Sequence, residues 1–317
     1  MAESATVKFC DPDSYAAGFA DARIRLTITA AGEFKARLTR LKLNDLEIYH
    51  CCENLPRIAY ISLPPKKIFL SFPTGAGSLV SDGLTVGNGD AVLHVQGGHM
   101  HQRSNGVGQW GLISISTEQF AYCGKALTGQ RIVLSQTSRI FRPARAETLR
   151  FMRLFRQARQ LAEAKHRFIE GSEMARTLED QLLHAIIGCV SANETNQRRE
   201  NHAAIMARFE ETLSRRIGQK LTMPALCAEV NVPERTLRMC CSEFLAVSPM
   251  RYLLLRRLNN ARAALRRADP TTVGVAEIAR KHQFRELGRF AVTYRTTFGE
   301  SPSATLHQNA QSDWRSD

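Results

Sequence analysis

The stretch "RELGRFAVTYRTTFGESPSATL", Arg285 to Leu306, decides how the last third of the chain is read. Phe290, Tyr294 and Phe298 recur every four residues on one side, Arg285, Arg289 and Arg295 fall on another, and Gly299 and Pro302 stop the pattern. That spacing predicts a short helix with an aromatic stripe toward a core and cations toward solvent, ended by glycine and proline.

The same stretch belongs to an internal repeat. "LCAEVNV" (Leu226–Val232) aligns with "IARKHQF" (Ile278–Phe284) at an offset of 52. Leu237 with Phe290, Cys241 with Tyr294, Leu245 with Phe298, and Ser248-Pro249 with Ser301-Pro302 follow at 53, so one residue is inserted after Phe284. Each copy reads as helix, tight turn, helix. In the first, Leu221, Leu226 and Val230 form the stripe, Asn231 makes the turn, and Pro233 sits near the start of a helix that runs to about Phe244. Leu237, Cys240, Cys241 and Phe244 then point inward, and Glu234, Arg235, Arg238, Met239 and Ser242 outward. In the second, Val275, Ile278 and Ala279 face the core and His282 and Gln283 turn; Arg285, Glu286, Arg289, Val292 and Thr293 stay outside.

A single such unit is ordinary helical packing; two copies with basic faces at equivalent places point to an anion. A helix fits the DNA major groove, where outward arginine makes bidentate contacts to guanine, and Thr236 and Thr293 could reach base edges or phosphates. Between the copies "PMRYLLLRRLNNARAALRRA" (Pro249–Ala268) contains no breaker and carries Leu253, Leu254, Leu258, Ala261 and Leu265 at helical spacing. About twenty helical residues span roughly 30 Å, close to the ~34 Å rise of one DNA turn. Arg256, Arg257, Arg266 and Arg267 on that helix are candidates for phosphate contacts or for a solvated face.

Charge agrees with this location. The 317 residues carry a formal net charge of +13, which favours a polyanionic partner. Seventeen Lys/Arg stand against nine Asp/Glu between Arg208 and Asn309, a net of +8 in that third. The chain is long enough for two domains. It has no apolar run of membrane-spanning length, and "MAESATVKFCDPDSYAAGF" lacks a signal-peptide pattern, so a cytoplasmic protein with no membrane partner is expected. The eight cysteines show no CxxC spacing and read as small buried hydrophobes.

The last hundred residues resemble the DNA-binding domain of the AraC/XylS family of transcription regulators. "VPERTLRMCCSEFLAVSPMRYLLLRRLNNARAAL" and "VAEIARKHQFRELGRFAVTYRTTFGESPSATL" carry the resemblance. It implies two helix-turn-helix units joined by a long helix, behind an N-terminal cupin-like barrel that binds a small effector or mediates dimerisation. Carried over residue by residue, the reading positions are Arg235, Thr236, Arg238 and Met239, flanked by Glu234, in the first unit. In the second they are Leu287, Gly288, Arg289 and Val292, preceded by Arg285 and Glu286. Leu287, Gly288 and Val292 are poor base readers, which leaves Arg289 to carry most discrimination there, and Cys241 stands where the family usually has an aromatic. The resemblance implies an activator of a catabolic or adaptive operon, with double-stranded DNA, RNA polymerase and a second copy of the chain as partners.

Upstream, the chain reads as short strands from Ile24 to about Ser116: Phe34–Leu43, Leu46–Glu53, Arg57–Leu63, Ile68–Phe72, Leu84–Val86, Ala91–Val95 and Trp110–Ser116. Many short strands with Gly-rich turns predict a small barrel or sandwich. A helix around Glu118–Leu127 follows, then two amphipathic segments, one with Leu149, Met152, Phe155 and Ala158, the other with Met174, Leu178, Leu182, Ile186 and Cys189. These either cover the strands or make a dimer contact. The expected fold class is α+β: residues 1–190 a cupin-like effector-binding and dimerisation domain with flanking helices, 191–201 a polar linker, and 202–317 an all-α double helix-turn-helix domain.

His94, His99 and His101, with His50 or Glu53, are weighed as a metal set. The downstream carboxylate of metal cupins is missing, so no metal, cofactor or catalytic residue is expected. A cupin-type metalloenzyme fused to a DNA-binding tail is the alternative, and a regulator without any ligand a third.

Overall fold

Leu41, Ile48, Ile113, Leu70 and Leu93 stand side by side across five neighbouring antiparallel strands. The computed structural model describes residues 4–312 except 21, 76, 78, 95–96, 130–137, 164–172, 191–193, 196–199, 217–218 and 220. Two compact units emerge: residues 1–26, 34–54 and 59–200, and residues 27–33, 55–58 and 201–317.

The first half supplies strands β1 (Ser4–Phe9), β2 (Arg23–Ile28), β3 (Ala36–Lys42), β4 (Leu46–Glu53), β5 (Arg57–Ser62), β6 (Lys67–Pro73), β7 (Leu79–Ser81), β8 (Leu84–Val86), β9 (Ala91–His94), β10 (His99–Ser104), β11 (Gly108–Ser116), β12 (Arg139–Phe141) and β13 (Glu194–Thr195). Its helices are α1 (Pro12–Ala17), α2 (Thr117–Thr128), α3 (Arg145–Glu163) and α4 (Glu173–Val190). The strands form an eight-stranded sheet, β1-β3-β4-β11-β6-β9-β12-β13, and a five-stranded sheet, β2-β5-β10-β7-β8. Strand-rich architecture is therefore as expected, but among the described residues neither sheet closes on itself. Two open sheets among the described residues stand in place of the closed cupin-like barrel that the family resemblance implies.

The aliphatic row faces Phe151, Phe155, Ala158, Leu182 and Ile186 of α3 and α4 in one buried cluster. Gly111 makes the approach possible, because a Cβ there would lie 2.5 Å from the Phe72 ring and 2.8 Å from that of Phe155. Buried Glu179 ties α4 to the sheet, accepting from the backbone N–H of Asp45 (2.6 Å) and Leu46 (2.9 Å) and from Asn44 Nδ2 (2.7 Å). Covering the sheet is thus what the apolar stripes of these helices do. The stripe of α3 differs from the expected one: Leu149 is 56% exposed, while Phe151 and Leu154 are buried. At 3.6 residues per turn Leu149 lies about 120° around the helix from Phe155, outside the arc that the sheet covers.

The second unit is helical: α5 (Glu200–Arg215), α6 (Met223–Val230), α7 (Glu234–Leu245), α8 (Pro249–Arg267), α9 (Val275–Lys281), α10 (Leu287–Phe298) and α11 (Pro302–Ser312). The repeat is visible in its backbone. Asn231 (φ 55°) and Gln283 (φ 67°), 52 apart, both adopt the left-handed conformation in the turns after α6 and α9. Ala246 (φ 56°) and Gly299 (φ 79°), 53 apart, do so after α7 and α10. The inserted residue lies between those points, lengthening the second turn, so that α10 begins at Leu287 and leaves Arg285 and Glu286 before it.

Both long second helices close on an αL residue whose N–H returns to the last turn, Ala246 to Ser242 and Gly299 to Arg295. Alanine suffers there from a Cβ clash that glycine escapes. Ala246→Gly is expected to stabilise the helical unit by about 0.5–1 kcal/mol, the αL relief less the greater entropy of unfolded glycine. A rise in the urea midpoint with unchanged slope would register it.

Candidate nucleic-acid interface

Thr222 starts α6 by accepting the Ala225 N–H on its hydroxyl, and Pro233 starts α7 with extended backbone and no side-chain cap. Leu226, Val230, Leu237, Cys240, Cys241 and Phe244 are all buried, with Phe209 of α5 and Tyr252 of α8 in the same cluster. In the second copy Phe284, Phe290, Tyr294 and Phe298 pack as a chain of rings 4.7 to 5.5 Å apart. Tyr294 is anchored by a hydrogen bond between its hydroxyl and that of Thr305 (2.8 Å), and burial lifts its pKa to about 12.

This packing sets which side chains remain outside. Glu234, Arg235, Arg238, Met239 and Ser242 of α7 are exposed, and Thr236 is half-buried. On and before α10, Arg285, Glu286, Gly288, Arg289, Val292 and Arg295 are exposed, and Leu287 is half-buried. Two details depart from expectation. Arg238 is engaged by Glu234 one turn earlier, with Nε and Nη2 each 2.7 Å from Oε1. An exposed pair of this kind contributes only about 0.3–0.5 kcal/mol, against about 1–3 for a bidentate guanine contact, so it orients Arg238 without withholding it. Thr293 is half-buried and its hydroxyl donates back to the Arg289 carbonyl (2.7 Å), so it does not offer that proton outward.

Helix α8 holds the two copies through arginines, two of which, Arg256 and Arg257, sequence reasoning placed on phosphates or in solvent. Arg256 is buried and donates to Glu210 Oε2 (2.6 Å), while Tyr252 donates to Glu210 Oε1 (2.6 Å). Arg257 donates to the carbonyls of His282 and Gln283 in the second turn and lies 4.5 Å over the Phe284 ring. Arg262 binds Glu300 and lies 4.6 Å over Phe298. Arg256 and Arg257 therefore serve the fold, whereas Arg267 is exposed and Arg266 half-buried. The signal was present in sequence for Arg262, which shares the inward face with Leu255, Leu258 and Leu265, but arginine on an apolar face is easily read as a gap in the stripe; Arg256 lies about 100° around the helix from Leu255 and gave no such signal.

Comparison with known proteins falls on this region. A family described as "Helix-turn-helix domain" matches residues 226–308. A probable thc operon regulatory protein of Rhodococcus erythropolis is 43% identical over 88 residues, 28% of this chain and 26% of the relative. The family match lies wholly within the C-terminal helical unit. The XylDLEGF operon transcriptional activator of Pseudomonas putida is 29% identical over 134 residues, 42% of this chain and 40% of that protein. A crystal structure of a probable AraC family transcriptional regulator from Rhodopseudomonas palustris, 30% identical, covers 33% of this chain and 95% of its own with a TM-score of 0.30. The matches to these two regulators thus span a quarter to two-fifths of the relatives' length.

Outside the helix-turn-helix match, the candidate metal residues form no common cluster among the described residues. His50 lies toward α3, its ring 6.1 Å from that of Phe155, and burial with nearby Arg159 and Arg37 lowers its pKa to about 4. Glu53 accepts from Tyr15 Oη (2.9 Å) and Trp110 Nε1 (3.1 Å). His99 and His101 do share one side, both against the Tyr60 ring, and His99 Nδ1 is 3.0 Å from Ser62 Oγ. His94 is buried between Ser71 Oγ (2.8 Å) and Ser138 Oγ (3.0 Å), and burial lowers its pKa to about 3. Among the described residues no three His, Cys, Asp or Glu side chains meet in a metal-sized cluster.

Two stability tests follow from these buried groups. Glu210→Gln should destabilise the helical unit by about 3–5 kcal/mol, because Arg256 would then stand buried beside an uncharged amide; urea unfolding measures it. His94 stays neutral in the fold, whereas the unfolded imidazole titrates near 6.5. Between pH 6.5 and about 3 the unfolded chain binds the extra proton, so stability present above 6.5 is lost as pH falls. His94→Asn should accordingly lose less stability between pH 7 and pH 5 than the parent chain, read as the difference in urea midpoints.

Proposed function

We propose that the chain is a sequence-specific DNA-binding transcription regulator that activates a catabolic or adaptive operon. The observation that carries the reading is the duplicated helix-turn-helix within the matched helix-turn-helix region, with arginines exposed on the second helix of each copy. α8 measures 19 residues, about 28 Å, near the rise of one DNA turn, so α7 and α10 address successive major grooves. Arg235, Arg238 and Arg289 make the polar base contacts and Arg285, Arg295 and Arg267 meet phosphates. The activating sign rests on relatives described as operon transcriptional activators, and such a role engages RNA polymerase.

Residues 202–317 form the DNA-binding domain in this reading, joined through 191–201 to a sensing domain over 1–190. The paired sheets act as a cupin-like chamber for a small effector. A second copy docks along the outer side of α3 and α4, where Met174 is exposed beside a groove of about 850 Å3 lined by Gln157, Leu161, Thr177 and Gln181. The function requires no catalytic step, cofactor or membrane. Among the described residues no helix is long and apolar enough to cross a bilayer, and DNA as partner places the protein in the cytoplasm.

Affinity for a duplex selected from a random library by the full chain should fall steeply with salt, as phosphate-bound counterions are released. Arg238→Ala or Arg289→Ala should each cost about 1–3 kcal/mol and relax preference at one base position. Fluorescence anisotropy on the selected duplex and its single-base variants tests both; unaltered discrimination in the two variants would remove these arginines from base reading.

A further inference from the structure

Three large apolar side chains are exposed among the described residues of the helical unit, Met239, Met250 and Val292, and two of them occupy equivalent places in the repeat. Met239 is 49% exposed on α7 and Val292 is 68% exposed on α10, and the two are 53 residues apart, the offset that relates the second helices of the two copies. One exposed valine or methionine means little, since folded proteins expose many. The same position left apolar and uncovered in both copies, at the centre of each outward face, is a different observation.

The surroundings show what covers it. Met239 is bordered by exposed Arg235, Arg238 and Ser242; Val292 is bordered by exposed Arg289 and Arg295. An apolar spot ringed by cations suits a surface that is anionic around an isolated apolar group, not the extended apolar patch of another protein. The DNA major groove is such a surface: phosphates line it, and the thymine C5 methyl is the apolar group on its floor. Around Val292 the helix surface is also thin. Gly288 and Ala291 are exposed, and a Cβ added at Gly288 would meet nothing within 4 Å, so the backbone of α10 can come close to the base edges.

We infer that Met239 and Val292 read thymine by enclosing its C5 methyl, one methyl in each of two successive major grooves. The inference rests on the DNA-binding reading and specifies how the second copy discriminates. Leu287, Gly288 and Val292 lack hydrogen-bonding groups because the feature recognised there is a methyl. The selected site should hold a thymine in each half, about one helical turn apart.

Replacing thymine by deoxyuridine removes that methyl and leaves every hydrogen-bonding group in place. The full chain is used to select a duplex from a random library, and each thymine of the selected site is replaced in turn by deoxyuridine. At one position in each half, affinity should drop about three- to five-fold, the effect expected of uncovering one methyl-sized group. Val292→Ala should abolish the deoxyuridine effect in its own half and retain it in the other, and Met239→Ala should do the converse. Both residues are exposed, so neither truncation touches a core. A selected site at which every deoxyuridine duplex binds within the error of its thymine counterpart would overturn the methyl inference and leave the DNA-binding reading standing. Failure to enrich any duplex, with the chain folded, would overturn both.

Discussion

Glu210 is fully buried, and an ionised carboxylate without partners would not tolerate that position. Tyr252 and Arg256, one turn apart on α8, each donate to one of its oxygens. This one buried charge fastens α8 to α5 beneath the first helix-turn-helix. On the same helix, Arg257 holds the second turn by its carbonyls and Arg262 holds Glu300 beyond α10. The relative placement of the two outward faces therefore depends on polar contacts from a single helix, and these have directional demands that apolar packing alone lacks. Replacing any of them with a greasy side chain could preserve a core while losing the register between the copies.

The two copies reach the same backbone by different fillings. The second uses an aromatic chain, Phe284 to Phe298, while the first has Cys240 and Cys241 at the centre. The smaller cysteines leave room that Phe209 and Tyr252 occupy from outside the repeat, in one continuous cluster. Burial raises the Cys241 thiol well above its ordinary range and that of Cys240 to about 11, which suits inert packing residues. Divergence inside the repeat is thus compensated locally, and the exposed positions, 239 and 292 among them, remain equivalent.

Much of this was legible beforehand for physical reasons. Offsets of 52 and 53, with the insertion after Phe284, placed the turns at Asn231 and Gln283, because the apolar spacing of a helix and the composition of a tight turn are local properties. Leu46–Glu53 and Leu84–Val86 were also recognisable as strands, as was Ala91–His94, the expected last residue Val95 lying outside the described residues. The strands at Ser4–Phe9, Arg23–Ile28 and Leu79–Ser81 were not, since Leu79–Ser81 is very short and Ser4–Phe9 pairs with Ala36–Lys42, beyond α1 and β2. Leu149 was misplaced because a three-residue recurrence is satisfied by more than one arc of a helix.

Sequence alone determined the duplicated helix-turn-helix, the positive balance of the last third and, Thr293 apart, the side chains that each second helix turns outward. These follow from periodicity and charge, which need no knowledge of distant contacts. Only the tertiary structure decided that Arg256, Arg257 and Arg262 point into the protein, that Arg238 rests on Glu234, that the sheets stay open among the described residues, and that His50, Glu53 and His94 occupy separate surroundings. Each of those outcomes depends on which partner arrives from elsewhere in the chain, and a local pattern carries no information about the arrival.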